Sequence, residues 1–206
     1  MEKKNGWHPL YLWGIAYVLL TYLYVGGFFF GIDQNNTAIV LISAAVPFIL
    51  SAVSLILALV LRNKIHRDHF LNTAMLIRYC VIPYYLAGFA VGFMGVLGNI
   101  IVPFLMIFAG FLVALIIFFF GYITLLGTVP FIFVYTDKGV KEGSFTKNFA
   151  LVIKIAQFVF VADTISALVA AFKEKKLIKA TIAAVIITAI LISAVVFLLL
   201  LGILTH

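Results

Sequence analysis

Long apolar runs broken only by short polar connections leave this chain few ways to fold. Residues 10–30 carry no charge and are numerous enough to cross a hydrocarbon core of ~30 Å as a helix. Residues 37–61, 73–97 and 178–205 have the same character, and 101–135 stays apolar for 35 residues. As one straight helix that last run would measure about 52 Å, so it must tilt, bend or break, with Gly121, Gly127 and Pro130 as candidate bend points. With 66% of its residues apolar and 10% charged, against roughly 25% charged in soluble domains, the chain belongs in lipid. The expected fold class is all-α, a polytopic helical membrane protein.

The connection that decides the topology is 135–179, which holds eight of the fourteen Lys and Arg residues. Beyond a polar loop, residues 148–172 follow a helical pattern. Lys147, Lys154, Gln157 and Thr164 share one face, while Ala156, Asp163, Ala167 and Ala170 line another. This pattern predicts an amphipathic helix lying in the interface plane. Alternatively, Asp163 closes one helix and caps a second. With 148–172 in the plane there are five spans: 10–30, 37–61, 73–97, 101–135 (bent) and 178–205. They form a single integral membrane domain over 1–206, with the N-terminus cytoplasmic and the C-terminus outside. Every Lys and Arg then lies at the inner face, as cytoplasmic loops prefer. The alternative has six spans. There 148–172 crosses, the 35-residue run splits near Gly121, and Lys138, Lys141 and Lys147 fall outside. The expected location is a bacterial plasma membrane, with the first span retained because no small-residue cleavage site follows it.

Several polar positions within the spans could line a pocket or bind neighbouring helices. Tyr17, Thr21 and Tyr24 recur at helical spacing on one face. Ser51 belongs to a small-residue stripe with Ser43, Pro47, Ser54 and Ala58, and Tyr84, Tyr122 and Thr128 lie near Pro83, Gly121 and Pro130. Interhelical hydrogen bonds are the expected use of these hydroxyls. Gly88, Gly92 and Gly95 predict a close helix crossing, within the chain or between two copies. Arg78, about one turn inside the third span, is expected to snorkel to headgroups. His66, Asp68 and His69 lack enough nearby donors for a metal site, and the single cysteine, Cys80, forms neither a disulfide nor a metal pair.

The sequence contains no zinc-protease, nucleophile-elbow or phosphate-loop motif, and no pair of carboxylates at membrane depth. No catalytic, cofactor-binding or metal residue is therefore assigned. A net charge of +7 raises nucleic acid as a partner, but the cations sit between apolar runs rather than on a solvated face. Anionic lipid at the cytoplasmic face explains them better, with another membrane protein or a second copy as further partners. Three function classes follow. The first is a binding, accessory or assembly module at the inner interface. The second is a small-solute carrier using Tyr17, Thr21, Tyr24, Ser51, Tyr84, Tyr122, Thr128 and Asp163. The third is a lipid-modifying enzyme working through His66, Asp68, His69 or Asp163.

Overall fold

The computed structural model describes residues 8–101, 105–159, 162–173 and 178–204, and among these all regular structure is helical. Three described helical segments are long and apolar enough to cross a membrane: Pro9–Asp33, Thr37–Leu61 and Phe118–Lys141, the last interrupted at Gly127 and Thr128. The chain is thus a helical protein of membrane type. It divides into two compact units, one from 1–80 and 122–177, the other from 81–121 and 178–206.

In the first unit, α1 (Pro9–Asp33) and α2 (Thr37–Leu61) form an antiparallel pair. His8 caps α1 through Nδ1, which accepts from the Leu10 N–H at 3.1 Å, and Pro9 supplies a preset φ at the first turn. Asn35 turns the chain in a left-handed conformation (φ 50°) that asparagine tolerates better than most residues. Asn36 then caps α2 by accepting from Ile39 N–H at 3.2 Å. Leu10, Gly14, Tyr17, Thr21, Tyr24 and Gly31 face inward from α1, and Ser43, Pro47, Leu50, Ser54 and Ala58 from α2. The opposite faces expose Leu19, Leu23, Leu41 and Ile42, the last at 68%, as a lipid-facing surface requires.

The helix α3 (Arg67–Ile101) begins six residues before the third span expected from hydropathy, as its residue numbers give. The apolar run after it contains a break. α4 (Leu105–Leu126) ends, and α5 (Val129–Lys141) begins beyond Gly127 and Thr128. Pro130 explains the break, because it has no N–H to offer the Leu126 carbonyl and its ring crowds the preceding turn. The stretch over 148–172 is not one amphipathic helix but two, as in the alternative divided near Asp163: α6 (Lys147–Ala156) and α7 (Ala162–Lys173), with Asp163 in the first turn of α7. Thr146 caps α6 by accepting from Phe149 N–H at 3.3 Å. In order, α2 packs on α5, α5 on α6 and α6 on α7.

The second unit contains the rest of α3, most of α4 and α8 (Ile178–Leu204). Within it, Tyr85 donates to the Gly121 carbonyl at 2.8 Å, and a Cβ on Gly121 would lie 2.9 Å from the Tyr85 ring. Tyr84 is buried here beside Tyr85, their ring centroids 5.3 Å apart. Gly88 is half-buried in α3, and the surroundings of Gly92 and Gly95 lie outside the described residues.

Candidate functional site

The break between α4 and α5 organises the first polar group. In a continuous helix the Thr124 carbonyl would accept from Thr128 N–H, but here that N–H turns to Leu125 O at 2.9 Å. Tyr17 takes over, donating its hydroxyl to Thr124 O at 2.7 Å, while Tyr24 shares a hydrogen bond with Thr124 Oγ1 at 3.0 Å. Ser51 donates to Ile123 O at 3.1 Å, and Thr21 bonds back to Tyr17 O at 2.8 Å. Four of the candidate pocket hydroxyls therefore serve α1, α2 and the broken end of α4. A polar group at membrane depth needs an internal partner, and Tyr17 provides it to the freed Thr124 carbonyl.

The second group centres on Arg78. Hydropathy places this arginine one turn inside a span, where it would reach headgroups. Because α3 starts at Arg67, it instead lies eleven residues along the helix, about 16 Å from that end. It is 2% exposed and does not snorkel. Its Nε and one terminal nitrogen donate to Thr128 Oγ1 at 3.1 and 3.0 Å, and the other terminal nitrogen donates to the Asp163 carbonyl at 2.8 Å. It also donates to Gln157 Oε1 and lies 3.6 Å from Asp163 Oδ2. Gln157 donates in turn to Ser166 Oγ at 2.7 Å and Ile153 O at 3.1 Å. Thr128 completes the network by donating to Leu125 O at 2.8 Å. One guanidinium thus binds the two places where the helices are interrupted, since Thr128 marks the α4–α5 break while Gln157 and Asp163 flank the α6–α7 break. Tyr122, the remaining candidate in this unit, donates to Phe158 O at 2.8 Å in that second break.

The third group is the basic end of the same unit. Its α2–α3 and α5–α6 connections are joined by Arg62 with Asp137 (3.6 Å), Arg67 with Glu142 (2.8 Å) and Arg67 with Ser144 Oγ (2.9 Å). Lys138 also donates to the Ile65 carbonyl. The buried Arg67 guanidinium lies over the rings of Tyr135 and Phe145, at 5.6 and 5.7 Å. Lys154 is paired with Asp137 and lies 5.4 Å from the Phe133 ring centre, so it is committed to the protein rather than to headgroups. Lys64, Lys141, Lys147 and Lys173 are exposed.

The histidines are not brought together as one site. His69 Nδ1 bonds the Tyr11 hydroxyl at 2.8 Å and its ring stacks on His8, whereas His66 faces Asp68 at 3.5 Å. Among the described residues, no three His, Cys, Asp or Glu side chains group closely enough to hold a metal. Sequence reasoning missed Arg78 as a centre and Gln157 as its partner. The available signal was that Arg78 and Asp163 are opposite charges isolated in apolar surroundings, where each needs the other. No protein-family model, curated protein or solved structure matches this chain.

Proposed function

We propose that this chain is a non-enzymatic binding or accessory module of the cell membrane. It acts through its basic end on the anionic headgroups of the cytoplasmic leaflet. Five crossings, a cytoplasmic N-terminus and an outside C-terminus accompany this reading, because cations favour the inner face. One observation carries it: Lys64, Lys141, Lys147 and Lys173 are exposed, while Asp137 and Glu142 at the same end are engaged by Arg62, Lys154 and Arg67. The free charge at that surface is therefore positive. Each lysine near an anionic surface contributes about 1 kcal/mol, so a triple replacement removes about 3 kcal/mol of lipid attraction.

The test compares thermal unfolding in nanodiscs of zwitterionic lipid with those containing phosphatidylglycerol. Anionic lipid should raise the melting temperature. Lys64→Ala/Lys141→Ala/Lys147→Ala should abolish that increment without changing stability in zwitterionic lipid. Equal melting of the unmodified protein in both lipids would overturn the proposal. For orientation, cysteines at Asn35 and Lys64 in a Cys80→Ser background are expected to label from outside and inside respectively, and the reverse pattern would refute the assignment.

The carrier alternative draws on the meeting of two helix interruptions at a buried Arg78–Asp163 pair, an arrangement suited to a mid-membrane ligand site. Against it, Tyr17, Thr21, Ser51 and Tyr122 are engaged with backbone carbonyls and Tyr24 with the Thr124 hydroxyl. Stabilisation by a small anionic solute that disappears in Arg78→Gln would favour the carrier.

A further inference from the structure

We infer that α6 and α7 form a re-entrant hairpin that enters and leaves the bilayer on the basic side, its tip latched at mid-membrane by Arg78. The arms have 10 and 12 residues, so they extend about 15 and 18 Å, each roughly half of a hydrocarbon core of ~30 Å. Neither arm is long enough to cross. They run antiparallel: Lys173, closing α7, lies 4.0 Å from the Phe149 ring centre at the start of α6. At the other end, Gln157 bonds Ser166 in the first turns of α7. Both open ends therefore lie with the exposed Lys147 and Lys173, beside the basic connections.

The depth of the tip follows from three elements that agree. Arg78 is about 16 Å along α3 from Arg67, and Thr128 is about 20 Å from Lys141 at the basic end of α5. The 15 Å arm of α6 reaches the same level. Leu151, Val152, Ile155, Phe158 and Val159 on α6 and its end are exposed and apolar, which suits acyl chains rather than water. Irregular backbone at this depth persists only when protein satisfies it. Tyr122 bonds the Phe158 carbonyl and Arg78 the Asp163 carbonyl. The base is held separately, by Lys173 over the Phe149 and Phe145 rings, so losing Arg78 frees the tip while the base stays in place.

The experiment places cysteines at Lys147, Val159 and Lys173 in a Cys80→Ser background, in the full chain reconstituted in liposomes. Reagents applied to one side should label positions 147 and 173 together, and a nitroxide at 159 should report a depth near the bilayer centre. Labelling of 147 and 173 from opposite sides would overturn the hairpin in favour of a crossing. Same-side labelling with the nitroxide at the headgroup boundary, roughly 15 Å from the centre, would overturn it in favour of an in-plane helix. Arg78→Gln should move the nitroxide outward while leaving the labelling at 147 and 173 unchanged. Tyr122→Phe, which removes a tip hydrogen bond without stranding a charge, should produce a smaller outward shift. An unmoved tip in a folded Arg78→Gln protein, or in Tyr122→Phe should Arg78→Gln not accumulate, would refute the latch.

Discussion

Arg78→Ala is expected to lower stability by about 3–5 kcal/mol, since truncating one member of a buried ion pair leaves the other uncompensated. Asp163 is 2% exposed, and the replacement also strips donors from Thr128 Oγ1, Gln157 Oε1 and the Asp163 carbonyl. That loss is a large share of the roughly 5–15 kcal/mol that holds a typical domain together. Reduced yield of monodisperse protein in mild detergent and a strongly lowered melting temperature are the expected readings. Asp163→Lys should be worse, because it sets a second cation beside a guanidinium with no counterion. Asp163→Asn keeps the backbone carbonyl that Arg78 uses and should lose less. A further variant separates charge from shape: Arg78→Met with Asp163→Leu should recover much of the deficit, as buried pairs replaced together by apolar groups often are neutral. As a control, Lys147→Ala at an exposed site should stay within about 0.5 kcal/mol. An Arg78→Ala protein as stable as that control would show that the pair is not buried.

The membrane class was legible because it depends on composition over long windows, and charge-free runs tolerate error of several residues. The inward face of α1 was legible too, since Tyr17, Thr21 and Tyr24 follow the helical period. The partner of Tyr17 was not, because the Thr124 carbonyl becomes available only through a break more than a hundred residues away in the chain. Arg78 was misplaced for a local reason. Polar residues 67–72 look like loop by hydropathy, yet they form the first turns of α3, and these six residues add about 9 Å of helix ahead of the arginine. Asp163 offered a division of 148–172 as the alternative to one helix, but the point where α6 ends, at Ala156, was hidden by composition. Residues 158–162 contain no Gly, Pro or Asn to punctuate a helix, and tertiary bonds from Tyr122 and Arg78 to Phe158 and Asp163 hold the chain there instead. Propensity yields to packing in such places.

Gly127→Ala is expected to cost about 3 kcal/mol, at the upper end of overpacking penalties, despite adding a single methyl. The new Cβ would lie 2.1 Å from Tyr17 Oη, 2.9 Å from Cζ and 3.0 Å from Cε2. Tyr17 is fully buried and its hydroxyl is held on Thr124 O at 2.7 Å, so the ring has no open direction in which to retreat. Tyr17→Phe alone should cost about 1 kcal/mol, the net worth of one hydrogen bond. Combining the two removes the closest of the three contacts and leaves only those that a few tenths of an ångström of ring movement relieve. The double variant should therefore lose less than the sum, with a coupling of about 1 kcal/mol or more. Gly26→Ala is the contrast, for nothing lies within 4 Å of its Cβ position and alanine favours the α1 helix. Denaturant titration in detergent measures all four proteins on one scale. If Gly127→Ala unfolds with Gly26→Ala, or if Tyr17→Phe gives no relief, the ring does not pack into the α4–α5 break and the hydroxyl network described around it is wrong.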